Sequence, residues 1–219
     1  MSTTARPAAG PDAATRWRER STPFTAEVEA VADWEAPSPC EGWTARDVLT
    51  HVIDTEREFL VGAGLIADES PAEESPADRN PADANHTDES HADESHPEET
   101  GEAVADPAAR WAAHLATVEA LLADPAAASR PHDGAFGPTT VGDVLLDFYG
   151  FDLIVHRWDL ARSQGRDARL TEAELALVDA AVDGWGEHAY APGIFDTPVD
   201  VPAGADGQTR VLARTGRRG

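Results

Sequence analysis

The chain of 219 residues lacks lysine altogether, has a single cysteine and contains no long apolar run. Its 17 basic residues are therefore all Arg, and its 41 acidic residues leave a formal net charge of −24. This charge argues against a duplex nucleic acid as the partner, because contacts to phosphates need a basic surface. One cysteine excludes an internal disulfide and a metal site made only of Cys ligands. No stretch reaches the roughly 18 to 20 apolar residues that a membrane span requires.

The first residues, Met1 to Arg6, are followed by Pro, Gly and Asp instead of an apolar core. No secretory signal is therefore predicted, and the cytoplasm is the expected location.

Half of the net charge falls in one segment, residues 68–102, where 13 acidic residues stand against Arg79. The segment has no Leu, Ile, Val, Phe, Trp, Tyr or Met, so it cannot bury enough apolar surface to offset the entropy of ordering it. We predict a disordered acidic insertion. Its three histidines, spaced by five residues, are expected to be solvated: His86, His91 and His96.

On both sides of the acidic segment, apolar residues recur at three- and four-residue steps, as they do in amphipathic helices. The sequence predicts helices over about 12–32 and 44–66, from 106 onward, over 141–163 and from 171 onward. Thr44 with Asp47, and Thr171 with Glu174, have the spacing of helix-capping boxes. The predicted fold is all-α: a bundle over 12–191, interrupted by the insertion, and an irregular tail over 192–219 packed on the bundle.

Three polar side chains lie on or beside the predicted apolar helix faces. Asp152 and His156 are four residues apart and so share one face of the fourth helix. His51 lies beside the apolar stripe of the second helix. Two imidazoles and one carboxylate would leave an open coordination position, which suits a catalytic zinc or another divalent metal. A hydrogen-bonded core histidine and a helix-face hydrogen bond remain alternatives, because periodicity alone does not bring two helices together.

Other polar residues have simpler interpretations. Cys40, in a Pro-rich loop, is expected to be a half-buried thiol, and His114 is expected to pack at the edge of the core. Ion pairs of little energetic weight are expected at the rim for three residues: Arg157, Asp159 and Arg162.

Two motifs resemble a known family. PCEGWTARDVLTHV (39–52) and DLIVHRWDLAR (152–162) resemble the metal-binding domain of the mycothiol-dependent maleylpyruvate isomerase family, in the DinB-like superfamily of four-helix bundles. The tail, at Phe195 to Val199 and at Gly216 to Arg218, is similar to the ending of small single-domain members. The resemblance implies a four-helix bundle with an extra C-terminal helix and a long acidic crossover loop between helices two and three.

The same resemblance implies a metal site. Its ligands would be His51, Asp152 and His156, with Asp152 standing where the isomerase itself has Glu. The expected cofactors are a divalent metal, with zinc as the expected ion, and mycothiol. Trp158 and Asp159 would either have a structural role or support the ligands, and no catalytic or cofactor-binding residue is assigned.

The activity that the resemblance implies is a mycothiol-dependent transferase, isomerase or detoxification reaction, in which a metal-activated thiol attacks an electrophile. The partners would be a small-molecule thiol and that substrate, and the superfamily is compatible with a homodimer. The Arg-only, Ala-rich composition fits an actinobacterial source, where mycothiol is the usual thiol. Two alternatives stay open: a non-catalytic metal-binding or stress-response bundle whose insertion collects cations, and a metal-free interaction module.

Overall fold

The computed structural model describes residues 12–68, 106–134, 137–191 and 194–218. Its long helices are α1 (Ala13–Glu29), α2 (Ala45–Gly62), α3 (Pro107–Ala123), α6 (Gly150–Ser163) and α7 (Glu172–Trp185). Its short elements are α4 (Pro125–Ala128), β1 (Pro131–Gly134), β2 (Gly137–Thr140), α5 (Val141–Val144), a π-helical segment (Leu145–Tyr149), a 3-10 turn (Gly186–Tyr190) and α8 (Gly207–Ala213). The described chain is mostly helical, in agreement with the all-α prediction.

The helix starts follow the predicted capping signals. The Thr44 side chain accepts from the Asp47 N–H at 3.2 Å, and the Asp47 carboxylate accepts from the Thr44 N–H at 2.8 Å. Thr171 and Glu174 make the same reciprocal pair at the start of α7. Both boxes satisfy backbone donors that would otherwise have no partner in the first turn, so α2 and α7 begin where the sequence predicts.

Glu174 also pairs with Arg157, whose guanidinium lies 2.9 Å from its carboxylate. Burial alone would raise the pKa of Glu174, but hydrogen bonds from the Thr171 N–H and from Arg157 lower it below its usual value. Arg157 is buried rather than at the rim, contrary to the sequence prediction, because α7 covers it. Charged Glu174 therefore stabilises the fold at neutral pH.

We expect Glu174→Gln, which keeps the shape of the cap but removes the charge, to lower the free energy of unfolding by about 1–2 kcal/mol at pH 7. Because the folded-state pKa is lowered, the difference from the parent should persist above the usual glutamate pKa of about 4.3 and shrink as the pH falls below it. Urea titrations at pH 7 and at pH 3.5 measure it. The control is Glu172→Gln, which changes an exposed residue of the same first turn. A difference that does not depend on pH would contradict the stabilising role of the Glu174 charge.

The main core lies between α1, α2, α3 and α6. Helix α1 packs against α3 and α6, and α2 packs against the same two helices. The apolar faces of these four helices therefore meet in one interior. Phe24 and Trp111 meet edge to face with ring centroids 4.8 Å apart, and both are buried. The Trp111 indole N–H donates to the Thr25 hydroxyl at 2.9 Å, so the buried ring keeps a hydrogen-bond partner.

A second apolar cluster lies on the other side of α6. Phe151, Val155 and Trp158 point into it and pack with residues of α7 and with Leu212 of α8. The tail is predicted to be irregular, but part of it, Gly207–Ala213, forms the helix α8. Helix α6 is buried on both sides, which explains why a polar residue on it must find an internal partner.

The predicted helix over 141–163 is interrupted. Between α5 and α6 the Gly150 N–H donates to the Leu145 carbonyl, five residues back, which is the π-helical pattern. Gly150 allows the Arg20 side chain to pack closely against this stretch, because an added Cβ would lie 2.6 Å from the Arg20 guanidinium. Immediately before this stretch, β1 and β2 form an antiparallel hairpin with Pro131 opposite Thr140, which the sequence analysis did not predict.

The acidic segment 68–102 lies outside the described residues except for Asp68, and so do His86, His91 and His96. The disordered insertion, the crossover loop and the domain boundaries therefore stay predictions. Among the helices that the structure describes, none combines the length and the apolar composition that a bilayer span requires.

Candidate metal centre

Helices α2 and α6 bring the three predicted ligands together. Asp152 lies between the two histidines: its carboxylate oxygens are 3.7 Å from Nε2 of His51 and 3.4 Å from Nε2 of His156. One ligand atom from each of the three residues lies within 4.8 Å of the others. The i, i+4 spacing on α6 and the crossing of α2 over α6 together produce this cluster.

The cluster faces a cavity. His156 is almost completely buried, whereas the side chains of His51 and Asp152 remain 29% and 18% exposed. The cavity has a volume of about 1030 Å³, and Trp43 forms part of its wall beside the cluster. The Trp43 ring lies 4.9 Å from the His51 ring and 6.4 Å from the His156 ring, centroid to centroid. The three polar groups are thus packed against the protein on one side and open to the cavity on the other.

The donor set fits a divalent cation. A tetrahedral zinc ion holds N and O ligands at about 2.0–2.2 Å, so neighbouring ligand atoms lie about 3.3–3.6 Å apart. The separations of 3.7 Å and 3.4 Å around Asp152 are close to that range. Two imidazoles, one carboxylate and an open side match the arrangement in which a cation keeps a free coordination position.

Asp159 fixes the orientation of the His156 ring. Its carboxylate lies 2.9 Å from Nδ1 of His156, so Nε2 is turned towards Asp152 and the cavity. A carboxylate on the far nitrogen of an imidazole ligand sets the tautomer and raises the basicity of the ligand. Asp159 is completely buried, which corrects the prediction of a rim ion pair and agrees with the supporting role that the resemblance implied.

Arg217, from the tail, neutralises Asp159. Its Nη2 lies 2.9 Å from the Asp159 carboxylate, and its Nη1 donates to the Thr215 carbonyl at 2.7 Å. The turn before it needs Gly216, whose φ is +82° and where a Cβ would lie 2.6 Å from Cβ of Asp196. Arg217 is a residue of the site that the sequence patterns do not identify. The only signal was the resemblance of the segment Gly216 to Arg218 to the ending of small family members.

The charges of the cluster shift the pKa values of its members. Burial alone would lower the pKa of His156, but the carboxylates of Asp152 and Asp159 raise it well above its usual value. For Asp152, burial would raise the pKa, and the neighbouring imidazoles bring it below the usual value. Burial lowers the pKa of His51. A proton and a cation would compete for the same lone pair on His156, so cation binding has to release that proton.

A second group of potential ligands shares His156 with the first. One atom each from Cys40, His156 and Asp159 lies within 4.8 Å of the others. Here, however, the guanidinium of Arg217 already contacts the Asp159 carboxylate at 2.9 Å and the Cys40 sulfur at 3.5 Å. A cation at this point would face a fixed positive charge, so the group around Asp152 is the better site. Cys40 is half-buried, as predicted.

The remaining candidates lie away from the cluster. His114 is buried and pairs with the equally buried Glu56, Nε2 to carboxylate, at 2.6 Å. Arg162 stays exposed, with its guanidinium 5.6 Å from the centre of the Trp158 ring. Neither residue lines the cavity.

Comparison with known families gives one match. A family model described as the mycothiol maleylpyruvate isomerase N-terminal domain matches residues 14–161, and the chain belongs to this family. Neither the curated proteins nor the solved structures gave a match to the chain. The matched region contains all three predicted ligands and Asp159, whereas Arg217 and the whole tail lie beyond it.

Proposed function

We propose that this member of the family is a metal-dependent enzyme of the mycothiol transferase or isomerase type, with His51, Asp152 and His156 as the ligands of one divalent cation, zinc being the expected ion. The observation that carries the proposal is the placement of two imidazoles and a carboxylate on the wall of a large cavity. The proposed partners are a small-molecule thiol, with mycothiol suggested by the family, and an electrophilic substrate.

The proposed fold is a DinB-like four-helix bundle made of α1, α2, α3 and the α5 to α6 unit. The mutual packing of α1 and α2 with α3 and α6 supports it. The family relationship supports this fold as well. The homodimer is a separate matter and stays a prediction.

A bound divalent cation would lower the pKa of a coordinated thiol, so that thiolate is available at neutral pH. Other residues of the chain keep the proposed ligands in position. Asp159 holds the His156 ring with Nε2 towards the cavity, and Arg217 balances the charge of Asp159. Trp43 lies beside both histidine rings and forms part of the cavity wall next to them.

The cavity favours catalysis over storage. A cation store needs ligands but no adjoining space, whereas a volume of about 1030 Å³ is enough for a thiol and a second small molecule. The alternative of a non-catalytic metal-binding or stress-response protein attributes uptake to the acidic insertion. Deletion of residues 70–100 separates the two, because only the alternative makes the insertion necessary for metal uptake.

The proposal is tested by thiol transfer with the metal-loaded protein, mycothiol and 1-chloro-2,4-dinitrobenzene. We expect a chelator to reduce turnover to the uncatalysed rate, and added zinc to restore it. The helical signal in circular dichroism should largely persist, because the cores around α6 contain no proposed ligand. Full thiol-transfer activity in His156→Ala would refute this mechanism.

A further inference from the structure

Part of the cavity wall is lined by aromatic rings. Phe148 precedes α6, Phe151 lies in its first turn, Trp185 ends α7, and Phe195 belongs to the tail. The Trp185 ring contacts all three others, with centroid distances of 4.9 Å to Phe151, 5.4 Å to Phe148 and 6.0 Å to Phe195. These four residues are called the aromatic wall below.

Within the aromatic wall, Phe148 is exposed, Trp185 and Phe195 are half-buried, and Phe151 is buried. Among the residues that the structure describes, the exposed large apolar side chains are Phe148, at 38%, and Ile194, at 39%. Both line this cavity. Exposed apolar surface that is concentrated in a concave site, next to polar groups, is characteristic of a ligand-binding site.

Outside the cluster of His51, Asp152 and His156 with its proposed cation, the charges around the cavity disfavour anions. Glu41, Glu58 and Asp196 line it in addition to Asp152. In the described part of the chain, Arg217 is the one arginine on its wall, and its guanidinium is already bound to Asp159 and to the Thr215 carbonyl. The net charge of −24 adds a long-range repulsion of anions. A dicarboxylate would therefore find no free arginine to pair with its charges.

We infer that the electrophilic substrate of this protein is neutral and carries an aromatic or similarly flat apolar group, which packs on the aromatic wall. The reaction in this inference depends on the proposed function. The class of ligand depends on the cavity and its charges, and not on the reaction. With an aryl epoxide, the thiol sulfur forms a bond to an epoxide carbon, and the carbon–oxygen bond breaks. The thiol proton then goes to the released oxygen, so no group leaves and no further reactant is needed.

Binding is measured with unreactive probes on the metal-loaded protein, by ligand-detected NMR with 2-phenylethanol and with succinate. We expect 2-phenylethanol to bind at least roughly tenfold more tightly than succinate. In Phe148→Arg, which replaces an exposed ring of the wall by a free cation, this preference should fall by roughly tenfold or reverse. Ala120→Arg, an exposed position on α3 outside the cavity, makes the same charge change and should leave the preference unaltered.

Three results would overturn the inference: succinate binding as tightly as 2-phenylethanol, no binding of either probe, or equal effects of the two Arg variants. Turnover is measured separately, with mycothiol and either styrene oxide or cis-epoxysuccinate. Transfer to styrene oxide at a rate at least tenfold higher is the expected result, and a faster reaction with the dicarboxylate would also overturn the inference. A protein that binds 2-phenylethanol but transfers mycothiol to neither epoxide keeps the ligand class and loses the proposed function.

Discussion

Replacing His156 by alanine is expected to abolish stoichiometric metal binding. The parent should contain about one zinc ion per chain, and the variant should bind the ion more than roughly 100-fold less tightly, since it keeps only two ligands. The removed ring is the one that Asp159 orients and that lies 3.4 Å from Asp152, and the only other imidazole in this cluster of described residues is that of His51. Mass spectrometry of the metal content, on protein purified without a His tag, measures the loss.

Three further variants show whether that loss is specific to the proposed site. His51→Ala should lose the ion as well, because its Nε2 completes the cluster from α2. His188→Ala removes an exposed histidine of the 3-10 turn and should retain the full metal content. Deletion of residues 70–100 should also retain it. Metal that survives in both His51→Ala and His156→Ala but disappears with the deletion would exclude this site and favour cation capture by the insertion.

Local signals predicted the parts of the fold that depend on neighbouring residues. The hydrogen bonds of the capping boxes at Thr44 and Thr171 join residues of a single four-residue segment. The starts of α2 and α7 could therefore be predicted from the sequence. The spacing of Asp152 and His156 placed both on one helix face, and the structure keeps them on one face of α6. That His51 joins them needed the family resemblance, because spacing within one helix does not predict its contacts with another.

The missed features depend on contacts between distant residues. Arg217 pairs with Asp159 across 58 positions of sequence, and the aromatic wall combines α6, α7 and the tail. Aspartate is usually an exposed residue type, and Asp159 is buried here in an ion pair with Arg217 of the tail. The π-helical segment ends at Gly150, which lies close to Arg20 of α1, and no periodicity within the helix reveals either feature.

The second large effect is expected for Arg217→Met, at a position outside the matched family region. Asp159 is completely buried, and the variant removes the cation that balances it. Leaving one charge of a buried pair without its partner costs about 3–5 kcal/mol, which corresponds to a fall of about 10 °C in the melting temperature. Thermal unfolding followed by circular dichroism measures it. Arg218→Met changes the exposed neighbour and should have a far smaller effect.

A double variant separates the structural role of Arg217 from its effect on the metal. Arg217→Met combined with Asp159→Asn removes both charges, so most of the lost stability should return. The zinc affinity should stay about 10–100-fold below that of the parent, because a neutral amide supports the His156 imidazole less well than a carboxylate does. If the stability and the zinc affinity recovered together, Asp159 would act only through folding. Recovery of stability alone would give Asp159 a role at the metal centre beyond folding, and Arg217 of the tail would act there through the ion pair that lowers the pKa of this carboxylate.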